Sequence, residues 1–527
     1  MNSIPLLSLL VFTPLAGAAL LGFLRGATPA VSRALTLLFS LSTLVLGLVA
    51  LSGFDPTRTT PQLVERHDWI TAFNVHYHLG LDGMSLVLVL LTGLVTPAAL
   101  LASWNLNRNP RLFGALFLAL QGAALGVFLA LDFFHWFLFW ELSLVPAFFL
   151  IKLWGGTGAS RAAYQFVVYT IGGSAFMLLS FAALFVATGT LDFVQLAQLA
   201  ADGTLAEKLA HLGGWWPRAV FLGVLLGLAV KVPLWPFHTW LPPAYAEAPT
   251  GVSMFLTGVM SKMGLYGFLR ILWPLFPGPL HQASPCLLWL ALAGVVLGAF
   301  AAMRQTDLKR MIAYSSINHL SYCLLALFAV SAATGRAGLT SDAATAALSG
   351  VILQMFNHGL SAAALFFCVG LLESRARTSA GLEPDLRGES APPAGLHDFG
   401  GVRTSAPIFA GLCGIALFSS LGLPGLNGFV GEFLIFRGVF GLAPWAAGVA
   451  CLGLLATALF LLTFWQRVFH GPRAGITREA FADLHGIEFA PLIPLVALMF
   501  ALGIAPQLLA HLINPLVTMW AGHLTLP

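Results

Sequence analysis

The sequence is a succession of apolar runs, each about 20 residues or longer, separated by short polar loops. An α-helix needs a run of this length to cross the hydrocarbon core of a bilayer. Because lipid offers the backbone no hydrogen-bond partners, each run is expected to be helical. The pattern predicts an all-α polytopic membrane protein with about 14 transmembrane helices. The predicted runs are 4–24, 31–53, 84–104, 112–131, 133–154, 164–188, 217–241, 248–273, 281–303, 311–331, 343–372, 405–440, 444–469 and 487–513.

Composition agrees with this class and excludes several functions. Only 9% of the residues are charged and 58% are hydrophobic, whereas roughly a quarter of a soluble globular protein is charged. The first run has no basic segment before it, so we expect a retained helix rather than a signal peptide. The five cysteines lie far apart, and no CxxC, P-loop or strand-associated GxGxxG is present. No cofactor is therefore expected in this chain.

Two of the runs are predicted to be broken helices. In the stretch Gly227–Arg270, Lys231 is followed by Pro233 and Pro236, which cannot continue a helix. The run 405–440 is too long for one straight helix and contains LGLPGLNG, with Glu432 just beyond it. Transporters built from inverted repeats place broken helices at corresponding positions of their two halves.

These two breaks suggest four segments of the chain. We expect a three-helix segment over 1–111, a first repeat of helices 4–8 over 112–273 and a second, inverted repeat of helices 9–13 over 281–469. A C-terminal helix 14 is expected within 487–527. The breaks would then fall in helices 7 and 12, and the assignment depends on position alone.

The distribution of basic residues predicts the orientation. Loops after odd-numbered runs hold 16 Lys and Arg residues, and the even-numbered loops and ends hold 7, with Arg270 and Arg437 counted among the latter. By the positive-inside rule the odd loops are cytoplasmic, so both termini are expected on the opposite side of the membrane.

Four charged residues that are not counted with the loops fall well inside apolar runs: Glu141, Lys231, Lys262 and Glu432. Each costs roughly 2.5–3.5 kcal/mol to insert at the centre of a membrane helix, so each needs a reason to be there. Glu141 and Lys231 could form a buried ion pair that only specifies packing, although such pairs stabilise weakly. The functional alternative is a switchable pair, because a desolvated lysine that loses its carboxylate partner releases its proton more readily.

Two histidines extend this set. His319 in AYSSINHLSYC and His358 in LQMFNHGLSAA lie in apolar runs with Ser and Asn neighbours. Histidine can relay protons near neutral pH, although a single membrane histidine is more often a hydrogen-bonded core residue. His238, near the end of the broken helix, is interpreted as structural.

The strings FWELSLVPAFFLI, KVPLWPFHTWLPPAYAEAPTGVSMFLTGVMSKMGLYGFLR, QTDLKRMIAYSSINHLSYC and GLPGLNGFVGEFLIF resemble one known family. It comprises the antiporter-like membrane subunits of bacterial NADH-quinone oxidoreductase (respiratory complex I). The resemblance runs from about Tyr77 to Phe440. Glu432 favours the M type, since the sister L and N types typically carry lysine at that position. Pro243 departs from the family, which often has an acidic residue there.

The resemblance implies fourteen transmembrane helices, with helices 7 and 12 discontinuous, in the bacterial inner membrane. It implies proton transfer through Glu141 in helix 5, Lys231 in helix 7, Lys262 in helix 8 and Glu432 in helix 12, and both termini would be periplasmic. The histidines His319 and His358 would join this path. Partners would include L- and N-type subunits, and flavin and iron–sulfur clusters would be held by other chains.

Two alternatives share the fold of this family. One is a subunit of an Mrp-type multisubunit cation/proton antiporter, which needs no redox partner, and the other is a subunit of a membrane-bound hydrogenase. A third hypothesis is a structural membrane scaffold whose charges have no function. The free-energy cost of inserting four charged residues into the membrane disfavours this hypothesis.

Overall fold

The fold is mainly helical, as predicted, and contains one two-stranded sheet. A computed structural model describes residues 5–335, 341–379, 395–473 and 481–523. The helices are α1 (Leu6–Phe23), α2 (Pro29–Ser52), α3 (Gly83–Ala102), α4 (Pro110–Leu129), α5 (Phe133–Leu142), α6 (Leu144–Trp154), α7 (Ala159–Thr188), α8 (Phe193–Ala201), α9 (Thr204–His211), α10 (Trp216–Lys231), α11 (Leu241–Glu247), α12 (Thr250–Leu275), α13 (Pro277–Met303), α14 (Leu308–Ala333), α15 (Ser341–Ser379), α16 (Pro407–Ser420), α17 (Asn427–Leu442), α18 (Pro444–Phe469), α19 (Phe489–Ile504) and α20 (Gln507–His523). The strands are β1 (Gln62–Ile70) and β2 (Val75–Leu81).

Within the described ranges, 12 helical segments are long and apolar enough to cross a membrane, with α5 and α6 together forming one of them. These segments coincide with 12 of the 14 predicted runs. The other two runs are interrupted: α10 ends at Lys231, and α16 and α17 are separated by residues 421–426. The prediction of fourteen crossings is compatible with this arrangement.

Helix starts follow from the local sequence. Several helices begin after an aspartate whose carboxylate accepts a backbone N–H of the first turn, which satisfies a donor that has no partner within the helix. These caps are Asp82, Asp132, Asp192 and Asp307. Other helices have proline in the first turn, where the missing N–H costs nothing.

The hairpin of β1 and β2 was not predicted. Its strands are antiparallel, and Asn74 at the turn has a left-handed backbone conformation (φ 49°). The hairpin is tied to the first turn of α1, because Glu65 accepts hydrogen bonds from the backbone N–H groups of Leu7 at 2.7 Å and Ser8 at 3.1 Å. The start of α1 and the loop after α2 therefore lie at the same end of the molecule.

The predicted single helix over 487–513 is also divided. Helix α19 ends at Ile504 and α20 begins at Gln507. Pro506 lies within the break and has no backbone N–H with which to continue the first helix. The C-terminal segment thus contains two helices rather than one.

The centre of the bundle is α12, the helix that carries Lys262. Its membrane-length window is 100% buried, compared with 28% for the peripheral α2. Other helices therefore enclose α12 on all sides. Its hydrogen bonding widens into two π-helical turns, at 256–260 and 268–272, on either side of Lys262.

Candidate functional site

The first cluster forms where α10 stops. Lys231 is the last residue of α10, and Pro233 and Pro236 follow, so the next helix begins only at Leu241. The indole N–H of Trp240 donates a hydrogen bond to the carbonyl oxygen of Val230 at 2.9 Å. A side chain thus satisfies one carbonyl near the end of the broken helix, as a chain in lipid requires.

Lys231 lies beside α5 and α6. Its side chain is buried, and its Nζ lies 3.4 Å from the hydroxyl oxygen of Ser143 and 4.8 Å from the centre of the Trp140 ring. Glu141 Oε1 is buried without a hydrogen-bond partner among the residues that the structure describes. No contact within 4 Å joins Glu141 to Lys231 in that part of the chain, although their charges interact through space. The predicted pair is therefore open, with no ion-pair contact between the two side chains.

The second cluster is centred on Lys262, whose side chain is fully buried. Its Nζ donates to the carbonyl oxygen of Thr257 at 2.6 Å and to the hydroxyl of Ser261 at 3.2 Å. The same Nζ lies 2.8 Å from His358 Nδ1. Because an ammonium group only donates, His358 accepts at Nδ1 and carries its proton on Nε2. This contact joins α12 to α15.

The row continues from His358 to Glu432. The rings of His358 and His319 are 5.2 Å apart between centres. His319 Nδ1 lies 2.8 Å from Glu432 Oε1, which is ion-pair distance, but the angle is unsuited to a hydrogen bond. Gln354 Nε2 donates to the same carboxylate oxygen at 3.1 Å. Four predicted site residues, Lys262, His358, His319 and Glu432, thus form one buried row through α12, α15, α14 and α17.

The local sequence explains the break beside Glu432. Gly422 and Gly425 have positive φ angles of 79° and 95°, a conformation that favours glycine. A Cβ atom at Gly428 would overlap the carbonyl oxygen of Ser419, so the two helix ends approach more closely than any other residue would permit. Asn427, at the start of α17, accepts a hydrogen bond from Ser419 at 2.6 Å and pairs with Asn357. Asn357 therefore helps to stabilise the break between α16 and α17.

The two clusters meet at a close approach of α12 to the end of α10. A Cβ atom at Gly264 would lie 3.4 Å from the carbonyl carbon of Lys231 and would overlap the side chain of Val232. Gly264 is only two residues from Lys262. The end of α10 that carries Lys231 therefore packs against α12, the helix that carries Lys262, and the roles of the predicted site residues stay a prediction.

Sequence reasoning missed a buried network beside the same helix. Arg270 was counted as a loop residue, but it lies in α12, with its side chain 13% exposed. Its guanidinium forms an ion pair with Asp82 and donates to Tyr266 at 3.1 Å and Ser85 at 3.2 Å. The sequence feature that belongs to this network is Asp82, which stands directly before an apolar run in LGLDGMS. An aspartate in that position is fully explained as a helix cap, so it did not indicate an ion pair. Arg437 was also counted as a loop residue but lies in α17.

Metal ligands do not come together in the described ranges, where no group of three or more His, Cys, Asp or Glu side chains is arranged to hold an ion. All five cysteines are free. What the site does contain is a row of buried titratable side chains, an arrangement that occurs in proton relays within membranes.

A family model and the full-length relatives both match this chain to membrane subunits of NADH:quinone oxidoreductase. Residues 130–459 match the family model described as NADH:quinone oxidoreductase/Mrp antiporter, transmembrane. The chain is 35% identical to NADH-quinone oxidoreductase subunit M of Rhodobacter capsulatus, over 97% of this chain and 95% of that protein.

Two solved structures have the same fold. Respiratory complex I from Thermus thermophilus with bound NADH contains a chain with a TM-score of 0.82 and 28% identity, covering 98% of this chain and 99% of that one. The Mrp complex from Dietzia sp. DQ12-45-1b contains a chain with a TM-score of 0.79 and 20% identity, covering 99% and 100%.

Proposed function

Because the chain belongs to the family of NADH:quinone oxidoreductase and Mrp antiporter membrane subunits, as a subunit of the M type, we propose that it translocates protons in the membrane arm of an NADH-quinone oxidoreductase. The redox chemistry takes place in other chains, which hold the flavin and the iron–sulfur clusters. Quinone reduction there drives a rearrangement of charge along the buried row in this chain.

The observation that carries the proposal is the buried row of titratable side chains from Lys262 to Glu432. A proton leaves the ammonium of Lys262 for His358 Nδ1 across 2.8 Å. His358 then releases the proton on Nε2 towards the neighbouring ring of His319. His319 passes a proton to Glu432, 2.8 Å away. Every group in this row can both take up and release a proton, which a purely architectural set of charges would not need.

The open Glu141–Lys231 pair supplies the switch. With Glu141 close, the charged form of Lys231 is favoured; with Glu141 withdrawn, the buried lysine gives up its proton. The present geometry is the open form, with Ser143 and the Trp140 ring as the contacts of Lys231. Lysine suits this role because arginine would keep its charge in both states.

The test is proton pumping by the intact complex in sealed vesicles, with NADH oxidation measured in parallel. Lys231→Ala and Lys262→Ala should each abolish acidification of the vesicle interior. Lys152→Ala is the matched control, because Lys152 lies in the last turn of α6, where its amino group donates to the exposed hydroxyl of Tyr164 and contacts the rings of Phe148 and Tyr164. Wild-type pumping in either of the first two variants would contradict the proposal.

A cation/proton antiporter subunit is the second candidate, because the family model and the fold are shared with the Mrp complex. Purification in mild detergent separates the two functions. We expect flavin and iron–sulfur proteins, together with L- and N-type membrane subunits, to be retained with the chain. Recovery of antiporter-like and small membrane chains alone, with sodium-dependent proton exchange, would instead establish the antiporter.

We place the chain in the bacterial inner membrane with both termini on the periplasmic side. The excess of basic residues in the odd-numbered loops supports this through the positive-inside rule. The contact between the hairpin and α1 puts the loop after α2, which contains Thr57, at the same end as the start of α1. Thr57→Cys should react with an impermeant thiol reagent from the periplasm, and Ser160→Cys only from the cytoplasm. The reverse pattern would overturn the orientation.

A further inference from the structure

A neutral polar residue lies in the middle of α4 and is used by none of the interactions described above. Gln121 is 0% exposed, and neither the oxygen nor the nitrogen of its side-chain amide has a hydrogen-bond partner among the residues that the structure describes. Burying an amide without partners is unfavourable, so such residues are uncommon in cores. Its neighbours on α4 are apolar, and an apolar side chain of similar volume would fill the same space at lower cost.

Two ring contacts fix the depth of Gln121 relative to Lys262. The rings of Phe117 and Phe255 lie 5.6 Å apart, and those of Phe128 and Tyr266 lie 5.5 Å apart. Helices α4 and α12 therefore run parallel and in register. Gln121 follows Phe117 by four residues and so shares its face of α4.

This register places Gln121 at the same depth in the bundle as Val259, four positions after Phe255. The amino group of Lys262 bends back to the same depth, since it bonds the carbonyl of Thr257 and the hydroxyl of Ser261. The amide of Gln121 and the amino group of Lys262 are therefore level on two helices that pack together.

Contacts on another side of α4 give its register with α5 and α6. Phe113 meets Trp154 with ring centres 5.3 Å apart, and Phe139 packs directly on Gly126. Interpolation between these contacts places Gln121 within about one helical turn of the depth of Ser143. Ser143 is the residue that the amino group of Lys231 approaches.

From this placement we infer that Gln121 is a positioning residue of the proton path, whose amide binds water that connects the Ser143–Lys231 cluster with Lys262. The inference rests on the proposed function. An amide suits the task because it donates and accepts hydrogen bonds at once and carries no charge of its own. It orders water for proton transfer in either direction without competing with the two lysines for the proton.

The experiment replaces Gln121 in the intact complex, reconstituted in sealed vesicles. Gln121→Met keeps the volume and removes the amide, and Gln121→Glu restores a group that can bond water. We expect Q121M to lower coupled NADH–quinone turnover and pumping roughly tenfold, and to enlarge the solvent isotope effect in heavy water. Q121E should keep the ordinary isotope effect, because its carboxyl group binds water, but should also lower pumping, because a carboxylate competes with the two lysines for the proton.

Controls separate this inference from the function on which it rests. NADH oxidation by ferricyanide, which bypasses the membrane arm, normalises every rate to assembled complex. Thr96→Val also removes one buried polar group, but its hydroxyl bonds only its own helix at 2.6 Å, so pumping should be unchanged. If Q121M does not assemble, Gln121→Asn withdraws the amide by one methylene and should show the same defect.

The outcomes are distinct. Normal pumping and a normal isotope effect in Q121M, together with failure of Lys262→Ala, would refute the role of Gln121 and leave the proposed function standing. Normal pumping in Lys262→Ala would refute the proposed function itself.

Discussion

The buried pair of Asp82 and Arg270 gives the sharpest prediction about stability. Arg270→Met keeps most of the apolar stem but removes the guanidinium that serves Asp82, Tyr266 and Ser85. The Asp82 side chain is 3% exposed, so its charge would remain buried without its partner. Breaking a buried pair in this way costs about 3–5 kcal/mol.

Substitution of the partner residue, Asp82, should destabilise the protein less than Arg270→Met. Asp82→Asn retains an oxygen to cap α3 at the N–H of Ser85, and Arg270 keeps its bonds to Tyr266 and Ser85. We expect the free energy of unfolding to fall by about 2 kcal/mol, which is the contribution of one charge-assisted hydrogen bond. The double variant carries no unpaired buried charge, so its loss should fall below the sum of the single losses by about 2 kcal/mol.

The assay is a double-mutant cycle on the intact complex in detergent. The quantity measured is the temperature at which half of this chain leaves the soluble fraction, determined by immunoblot. Arg437→Met, which removes an exposed arginine from α17, should leave that temperature unchanged. Strictly additive losses in the cycle would refute the idea that Arg270 and Asp82 stabilise each other directly.

Further predictions concern the hairpin end and the second break. Burial raises the pKa of Asp132 from 3.8 to about 6, so the folded state is penalised as pH rises through this interval. Asp132→Asn should therefore stabilise the complex by roughly 3 kcal/mol at pH 7.5 and much less at pH 5 in thermal melts. Although burial works in the opposite direction, the hydrogen bond from His78 helps to hold the pKa of Asp192 below its ordinary value, so Asp192→Asn should destabilise at pH 7.5 and less as the pH falls. Gly428→Ala should cost about 1–3 kcal/mol, because the added methyl group overlaps the carbonyl of Ser419, and membrane extracts should contain less assembled complex.

The membrane helices and the charged site residues could be predicted because their signals are local. A run of apolar residues specifies a membrane helix wherever it packs, and Lys262 or Glu432 stands out against apolar neighbours. The proline and glycine residues at the two breaks act on their own backbone, so their effect is also local.

Features that depend on contacts distant in sequence were missed. The partners Asp82 and Arg270 are separated by 188 positions, and neither residue alone indicates the other. The hairpin is too short and too polar to resemble a membrane segment, and its own Glu65 ties it to the start of α1. Gln121 was overlooked because an amide carries no charge, so only its depth in the bundle makes it unusual.

The π turn at 256–260 has a consequence for how this helix can change in evolution. A π turn accommodates one more residue than an α turn, and the carbonyl that Lys262 bonds lies within it. Deleting one residue of 256–260 would restore a regular turn and leave the helix beyond it facing the same way, whereas a deletion elsewhere in an α-helix rotates everything beyond it by about 100°. In the regular turn the carbonyl of Thr257 would be occupied by a backbone N–H of the helix, so Lys262 would lose this partner. A single-codon deletion at the π turn should therefore disturb the fold less than one elsewhere in this helix, while it still weakens the binding of the lysine.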